Sequence, residues 1–162
     1  MALTYERLDA RITAFLARIG VPLVRVSLGI VFLWFGALKF VPGLSPAEDL
    51  AARTIEQLTG GLILPATSLP ILAAWESLIG LGLLTGRYLR ATLFLLAVQM
   101  AGTITPLFLF PAETFTHFPY APTLEGQYII KNIVLIAAAM VVGATVRGGR
   151  IESEPGPATG PA

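Results

Sequence analysis

Of the 162 residues in the chain, 55% are hydrophobic and 13% are charged, against about 25% charged in a typical soluble domain. The net charge is +1, and the arginines lie at the ends of apolar stretches, so the basic face of a nucleic-acid-binding protein is absent. The sequence has no cysteine, which excludes disulfides, thiolate metal sites and dithiol chemistry within the chain. These features favour a protein whose main partner is the lipid bilayer.

Residues 1–18 precede the first long apolar run and have a helical pattern of their own. Apolar residues recur every three or four positions and form one stripe: Leu8, Ile12, Phe15 and Ile19. The arginines of this segment lie mostly off the stripe, which predicts an amphipathic helix on the cytoplasmic membrane surface. The apolar run that follows is longer than a signal-peptide core and has no small-residue cleavage site, so we expect it to be a retained span.

Four apolar stretches each approach the roughly 20 residues that cross about 30 Å of hydrocarbon. We expect transmembrane helices over residues 19–40, 66–86, 89–110 and 127–146. The alternation of apolar and polar residues that a membrane-spanning β-barrel needs is absent from these stretches. The predicted fold is therefore an all-α, integral membrane four-helix bundle over residues 19–147.

Two further segments lie outside the bilayer in this prediction. Ser45-Pro46-Ala47-Glu48 has the form of a capping box with proline at the first helical position, which indicates an outer interfacial helix over residues 46–58. From Gly148 onward the chain is rich in Gly, Pro and Glu without an apolar period. Residues 148–162 are therefore predicted to be a disordered tail.

The distribution of Lys and Arg predicts the orientation in the membrane. Eight basic residues flank the helices on one side: Arg7, Arg11, Arg18, Arg25, Arg87, Arg90, Arg147 and Arg150. Three lie toward the other side: Lys39, Arg53 and Lys131. This excess predicts a multi-pass protein of the cytoplasmic (inner) membrane with both termini in the cytoplasm.

Small residues spaced four apart predict where the helices meet. The pairs are Gly82 with Gly86, Ala97 with Ala101, and Ala139 with Gly143. Lipid gives helices no hydrophobic reason to associate, so close backbone packing must hold them together. Three such pairs favour one compact bundle.

Glu76 is the most informative polar residue, because it lies ten residues from either end of its predicted helix. An uncompensated carboxylate near the midplane is costly, so it needs a partner or a proton. Polar faces of the other helices are predicted to converge with it on a polar interior. The candidate residues of this ligand-binding or internal polar network are Glu76, Arg25, Lys39, Gln99, Lys131 and Asn132.

The sequence alone does not decide which cation pairs with Glu76. At a rise of about 1.5 Å per residue, Arg25 lies roughly 7 Å and Lys131 roughly 9 Å from Glu76 in depth, and Arg25 is preferred. Alternatively, Arg25, Lys39 and Lys131 all extend to the membrane interfaces. Glu76 either joins helices in a structural role or belongs to a site for a small polar or quinone-like ligand.

No catalytic or metal-binding pattern accompanies these residues. His117 lies in a predicted outer loop among Phe115, Phe118 and Tyr120, and neither a second His nor a Cys is present to complete a metal site. An interfacial aromatic cluster is the better interpretation. A nucleophile–base arrangement, a phosphate-binding glycine loop and paired catalytic carboxylates are also absent, so we expect the chain not to be an enzyme on its own.

Three segments of the chain form a recognisable series: Gly29–Phe40 (GIVFLWFGALKF), Trp75–Gly86 (WESLIGLGLLTG) and Gly126–Asn132 (GQYIIKN). In this order and spacing they resemble the first, second and fourth helices of the DoxX-like family of small bacterial membrane proteins. Relatives often carry Arg in place of Gln127 and Asp in place of Asn132.

The resemblance covers residues 20–147 and implies a four-helix bundle distantly like that of vitamin K epoxide reductase. It also implies an association with redox physiology, such as quinone-linked sulfur oxidation or oxidative-stress membrane complexes, without a defined activity. We therefore expect an accessory or quinone-interacting subunit of a membrane redox or stress-response system. Its partner would be a membrane or membrane-attached oxidoreductase and its candidate cofactor a quinone, because without cysteine the chain has no thiol electron carrier of its own.

Two other classes of function stay open. One is a small-solute or proton-coupled membrane carrier in which Glu76 is the protonatable coupling group. The other is a purely structural assembly factor. The sequence also leaves open the ligand, the partner protein and a homo-oligomer.

Overall fold

The computed structural model describes residues 2–46 and 48–152. In this part of the chain the elements are α1 (Ala2–Leu38), α2 (Glu48–Leu58), α3 (Pro65–Thr85), α4 (Leu89–Ile104), α5 (Pro106–Leu109), α6 (Pro111–Thr114), β1 (Phe115–His117), β2 (Ala121–Pro122) and α7 (Leu124–Ala144). The two strands form a small antiparallel hairpin. Ala47 of the expected capping box and residues 153–162 of the expected tail lie outside the described residues.

Four segments of the described chain are long and apolar enough to cross a membrane: Tyr5–Leu38, Pro65–Thr85, Leu89–Leu109 and Leu124–Ala144. Large apolar side chains cover their outer surfaces, as at Trp34, Phe94 and Val134, each more than 60% exposed. Such a surface is stable against hydrocarbon and not against water. The protein is an all-α integral membrane bundle, as the sequence predicted.

The first helix differs from the prediction, since α1 runs without a break from Ala2 to Leu38 and includes Pro22. No turn sequence separates the amphipathic stripe from the apolar run, so the helix continues through both. The third span is interrupted instead, because Pro106 has no N–H to continue the ladder and α4 ends at Ile104. The last span begins at Leu124, where the Thr123 hydroxyl accepts a hydrogen bond from the Gly126 N–H at 3.2 Å.

The four spanning helices form a ring in which α1 and α4 each pack against both α3 and α7. Its core consists of Leu28, Phe32, Ile79, Leu83, Leu96, Met100 and Val142. We call the end where α3 ends, α4 begins and α7 ends the basic end. The opposite end, which carries α2, α5, α6 and the hairpin, is the loop end.

Glycines set the register of the most extensive contact, which is between α1 and α3. A Cβ added at Gly29 would lie 2.8 Å from Leu84 Cγ, and one added at Gly36 would lie 2.8 Å from the Ser77 backbone nitrogen. A Cβ at Gly80 would lie 2.7 Å from Leu33 Cα. The helices are therefore antiparallel and in backbone contact along this seam, as glycine permits in membranes.

The prediction that Gly82 and Gly86 lie in one helix–helix contact is wrong. Gly82 faces α4, where an added Cβ would lie 2.8 Å from Thr92 Cγ2. Gly86 ends α3 with a φ of 67°, a left-handed conformation that favours glycine, and its N–H bonds the Gly82 carbonyl. The backbone contact of α3 with α1 uses Gly80, whereas Gly86 meets only the Arg25 side chain of α1, whose Nη1 would lie 2.7 Å from an added Cβ.

The other two small-residue pairs behave differently from each other. Ala97 and Ala101 on α4 are both exposed on the outer surface of the bundle, so the expectation of a seam there is wrong. On α7, Ala139 packs against the core, and Gly143 faces Leu93 of α4, whose Cδ1 would lie 3.6 Å from an added Cβ. Small size alone does not say which face of a helix meets a neighbour.

At the loop end, α2 packs against α3 and α5 and buries Leu50, Ala52 and Thr54. The Glu48 carboxylate accepts hydrogen bonds from the backbone N–H groups of Ser45 and Gly43, both at 3.0 Å. These bonds satisfy donors just ahead of the helix, as the acidic member of a capping box does.

Candidate functional site

The candidate site is centred on Glu76, which lies near the middle of α3 and is 8% exposed. Lys39 donates a hydrogen bond from Nζ to Glu76 Oε2 at 2.7 Å. Gln99 of α4 donates one from Nε2 to Oε1 at 3.0 Å. One carboxylate therefore joins three helices, with a separate donor on each of its oxygens.

Lys39 reaches Glu76 because of where α1 stops. The helix ends at Leu38, and the seam places Gly36 against Glu76, whose Cβ would lie 2.9 Å from a Cβ added at that glycine. Lys39, three residues further on, thus projects its ammonium onto the carboxylate and also lies 3.3 Å from the Phe35 carbonyl oxygen. The absence of a side chain at Gly36 leaves the space for this approach.

The electrostatics of the pair follow from its burial. The side chains of Lys39 and Glu76 are 13% and 11% exposed, so both charges have lost most of their hydration. The attraction between the two charges offsets the lost hydration only when both groups are also well hydrogen-bonded. The hydrogen bond from Gln99 to Glu76 contributes to this. The arrangement holds a charged, hydrogen-bonded group beside the apolar core of the bundle.

The preferred partner of Glu76 was wrong. Arg25 instead donates from Nη1 to the carbonyl oxygens of Leu83 at 2.5 Å and Leu84 at 3.4 Å. Leu83 lies seven residues from Glu76, roughly 10 Å along the helix axis. Carbonyls in the last turn of α3 have no partner within the helix, so a guanidinium bonds them well.

The predicted depth of Arg25 relative to Glu76 was wrong because it assumed that the first span is centred on residues 19–40. The glycine contacts shift α1 along α3, so that Leu33 faces Gly80 and the end of α1 comes level with Glu76. Arg25 is correspondingly displaced toward the basic end.

Lys131, the other cation proposed for Glu76, also lies elsewhere. It is exposed, and its Nζ lies 5.2 Å from the centroid of the Tyr128 ring, in a cation–π contact. Asn132 is half-buried on α7 and does not bond the carboxylate. Of the six candidate residues, the structure brings together Glu76, Lys39 and Gln99, and leaves Arg25, Lys131 and Asn132 apart.

Two polar groups beside this cluster were missed from the sequence. The Ser77 hydroxyl is buried next to Gly36 and has no hydrogen-bond partner among the described residues. The Trp75 indole donates from Nε1 to the Leu95 carbonyl oxygen of α4 at 3.2 Å. Their position on either side of Glu76 in the sequence is the one signal that could have identified them.

A second polar cluster joins α2 to α6 at the loop end. Arg53 forms two hydrogen bonds with the Glu113 carboxylate, at 2.8 and 2.6 Å, bonds Asp49 at 2.8 Å and lies 4.9 Å from the Phe110 ring centroid. The hydrogen bond from Arg53 holds the pKa of Glu113 below its usual range, so this carboxylate stays ionised. Because both side chains are more than a third exposed, the cluster orients the loops more than it stabilises the fold.

His117 lies on the hairpin, where its ring stacks with Tyr120 at a centroid distance of 6.1 Å. Phe115 and Phe118 form an edge-to-face pair at 5.1 Å beside it. Among the described residues, no group of three or more His, Cys, Asp and Glu could hold a metal ion.

A comparison with known families gives one match. The model of the family named DoxX matches residues 20–121, more than half of the chain. The matched range includes the three residues that meet at the carboxylate, Lys39, Glu76 and Gln99. No curated protein and no solved structure matches the chain.

Proposed function

This chain belongs to the DoxX family, and from that premise we propose that it is a quinone-interacting accessory subunit of a membrane redox or stress-response system. The quinone headgroup would bind at the cluster of Glu76, Lys39 and Gln99. A membrane or membrane-attached oxidoreductase is the proposed partner.

The observation that carries this proposal is the placement of the cluster. A carboxylate, an ammonium and an amide converge from three helices beside an apolar core cluster. Burying a polar group inside the membrane costs free energy. Three such groups held together are therefore a candidate functional site. The buried Ser77 hydroxyl beside them adds a donor that has no partner among the described residues.

The chemistry of the cluster suits a quinone headgroup. Quinone carbonyl oxygens accept hydrogen bonds, and Lys39 and Gln99 each carry a further N–H beyond those that bond Glu76 and the Phe35 carbonyl. Full reduction of a quinone takes two electrons and two protons. In this proposal both electrons come from the partner oxidoreductase, because a chain without cysteine has no dithiol to supply them. Both protons would come from water at the membrane surface. The Glu76 carboxylate holds the donors in place and could relay a proton by accepting it and passing it on to the quinone oxygen.

The test is direct binding of a quinone to the purified protein. The chain has two tryptophans, so a Trp34→Phe background leaves Trp75, next to Glu76, as the only tryptophan whose fluorescence reports binding. We expect decylubiquinone to quench Trp75 saturably in detergent. Glu76→Gln, which keeps the shape but removes the charge, should weaken binding about 10- to 100-fold, the range expected for loss of a charged hydrogen bond.

Glu125→Gln is the matched control, because it makes the same chemical change at an exposed position in the first turn of α7. It should leave quenching unchanged. If the wild type binds no quinone, or if Glu76→Gln binds as tightly as the wild type, the proposal fails. A variant that loses stability but not affinity would mean that Glu76 only joins the helices.

We also propose that the basic end faces the cytoplasm and that the membrane is the cytoplasmic (inner) membrane. The support is the excess of Lys and Arg, eight residues against three. In intact cells, an impermeant thiol reagent should label a cysteine at Thr116 on the hairpin and should label one at Glu6 only after lysis. The reverse pattern would overturn the orientation and leave the fold unaffected.

A further inference from the structure

A cavity of about 640 Å³ opens at the basic end, between α1 and the residues that follow α7. Its volume is in the range of sites that hold small-molecule ligands. One wall is an apolar stretch of α1, formed by Ala14, Ala17, Val21 and Pro22. The remaining wall includes Leu89 and residues 149–152.

The polar lining of this cavity is mostly cationic. Arg18, Arg25 and Arg150 contribute to it, against one carboxylate, Glu152. Arg25 already bonds the last turn of α3. Arg18 and Arg150 form no ion pair within residues 2–46 and 48–152, so their charges are available to an anion.

The cavity lies at the depth of the lipid headgroups. Three spanning helices end or begin at this level, at Thr85, Leu89 and Ala144. The boundary of the hydrocarbon therefore passes just inside the cavity, and phosphate groups of the bilayer lie beside it. A second cavity of about 350 Å³ at the same end is flanked by Arg90 and Arg147.

We propose that the cavity between α1 and the segment after α7 binds the headgroup of an anionic phospholipid. Arg18 and Arg150 bind the phosphate, and the apolar lining residues nearest the bilayer, Val21, Pro22 and Leu89, receive the glycerol and the first part of the acyl chains. Charge complementarity selects an anion, and the apolar wall selects a lipid over free phosphate. The site is distinct from the Glu76 cluster and does not depend on the quinone proposal.

The experiment titrates delipidated protein in detergent and follows the thermal unfolding midpoint. The probes are dioctanoyl phosphatidylglycerol, dioctanoyl phosphatidylcholine with the same chains, and inorganic phosphate. We expect only the phosphatidylglycerol to raise the midpoint at submillimolar concentration. The double variant Arg18→Gln with Arg150→Gln should increase the half-saturating concentration on the order of tenfold.

Arg7→Gln with Arg11→Gln is the matched control, since it removes the same charge from exposed positions of α1 that do not line the cavity. It should change the half-saturating concentration by no more than about twofold, because charges beyond a Debye length are screened. Glu152→Gln should strengthen binding, because it removes the carboxylate from the lining.

Three results would overturn the proposal. If both double variants weaken binding equally, the attraction is a diffuse property of the basic end. If inorganic phosphate gives the same shift as the lipid, the site binds small anions. If phosphatidylcholine is as effective as phosphatidylglycerol, the arginines do not select the headgroup.

Discussion

Lys39→Met is expected to destabilise the bundle by about 3–5 kcal/mol, the usual cost of leaving one member of a buried ion pair without the other. The Glu76 carboxylate would keep its hydrogen bond from Gln99 and lose the ammonium at 2.7 Å. Glu76→Leu should cost less, because the Lys39 side chain starts at the end of α1 and can extend toward water. The measurement is the free energy of unfolding in mixed micelles.

The double variant Lys39→Met with Glu76→Leu should recover most of that loss, since no charge is then buried alone. Arg25→Met with Glu76→Leu is the control pair, and it should not recover stability, because Arg25 bonds the Leu83 and Leu84 carbonyls. The hydrogen-bonded pair described here is incorrect if the Arg25 combination recovers stability and the Lys39 combination does not. Recovered stability with lost quinone binding would separate the functional role of the pair from its structural one.

Gly80→Ala is expected to destabilise the bundle by about 3 kcal/mol, at the upper end of the range for overpacking. The added Cβ would meet the Leu33 backbone, with Leu33 Cα at 2.7 Å. A side chain can rotate away from such a contact, but the backbone of a packed helix cannot, so α1 and α3 must separate. The α1–α3 contact that positions Lys39 next to Glu76 would be lost as well.

Gly102→Ala on α4 is the matched control, because an added Cβ there meets nothing within 4 Å. It should be neutral, or stabilising by up to about 1 kcal/mol from helix propensity. Thermal unfolding of the two variants in the same detergent provides the comparison. Equal midpoints for Gly80→Ala and Gly102→Ala would contradict the α1–α3 contact.

The fold could be predicted from the sequence because its main signal is large and local. Twenty apolar residues in succession indicate a membrane span whatever their neighbours are. The pattern did not predict how the spans are shifted along each other. That shift depends on which glycines face a neighbour, and Gly80 and Ala97 look alike in a list of small residues although one lies in the seam and the other faces outward.

The same difference between local patterns and the relative shift of the helices explains which site residues could be predicted. Glu76 could be identified from its position alone, because a carboxylate inside an apolar helix is conspicuous. Its partner could not, since a displacement of α1 by a few residues decides whether Arg25 or Lys39 lies at its depth. Gln99 was found from its face on α4, whereas Ser77 and Trp75 adjoin Glu76 in the sequence but belong to no helical pattern that marks them as part of the cluster.

The order of Lys39, Glu76 and Gln99 along the chain has a consequence for synthesis of the protein. Lys39 precedes Glu76 by 37 residues, and Gln99 follows Glu76 by 23. At about 5–20 residues per second, the cation is made roughly 2–7 s before the carboxylate. The ammonium can rest at the interface during this interval, because it is near the end of its helix. When α3 enters the membrane its counter-ion has thus already been made, and the amide of α4 is the last of the three groups to be added.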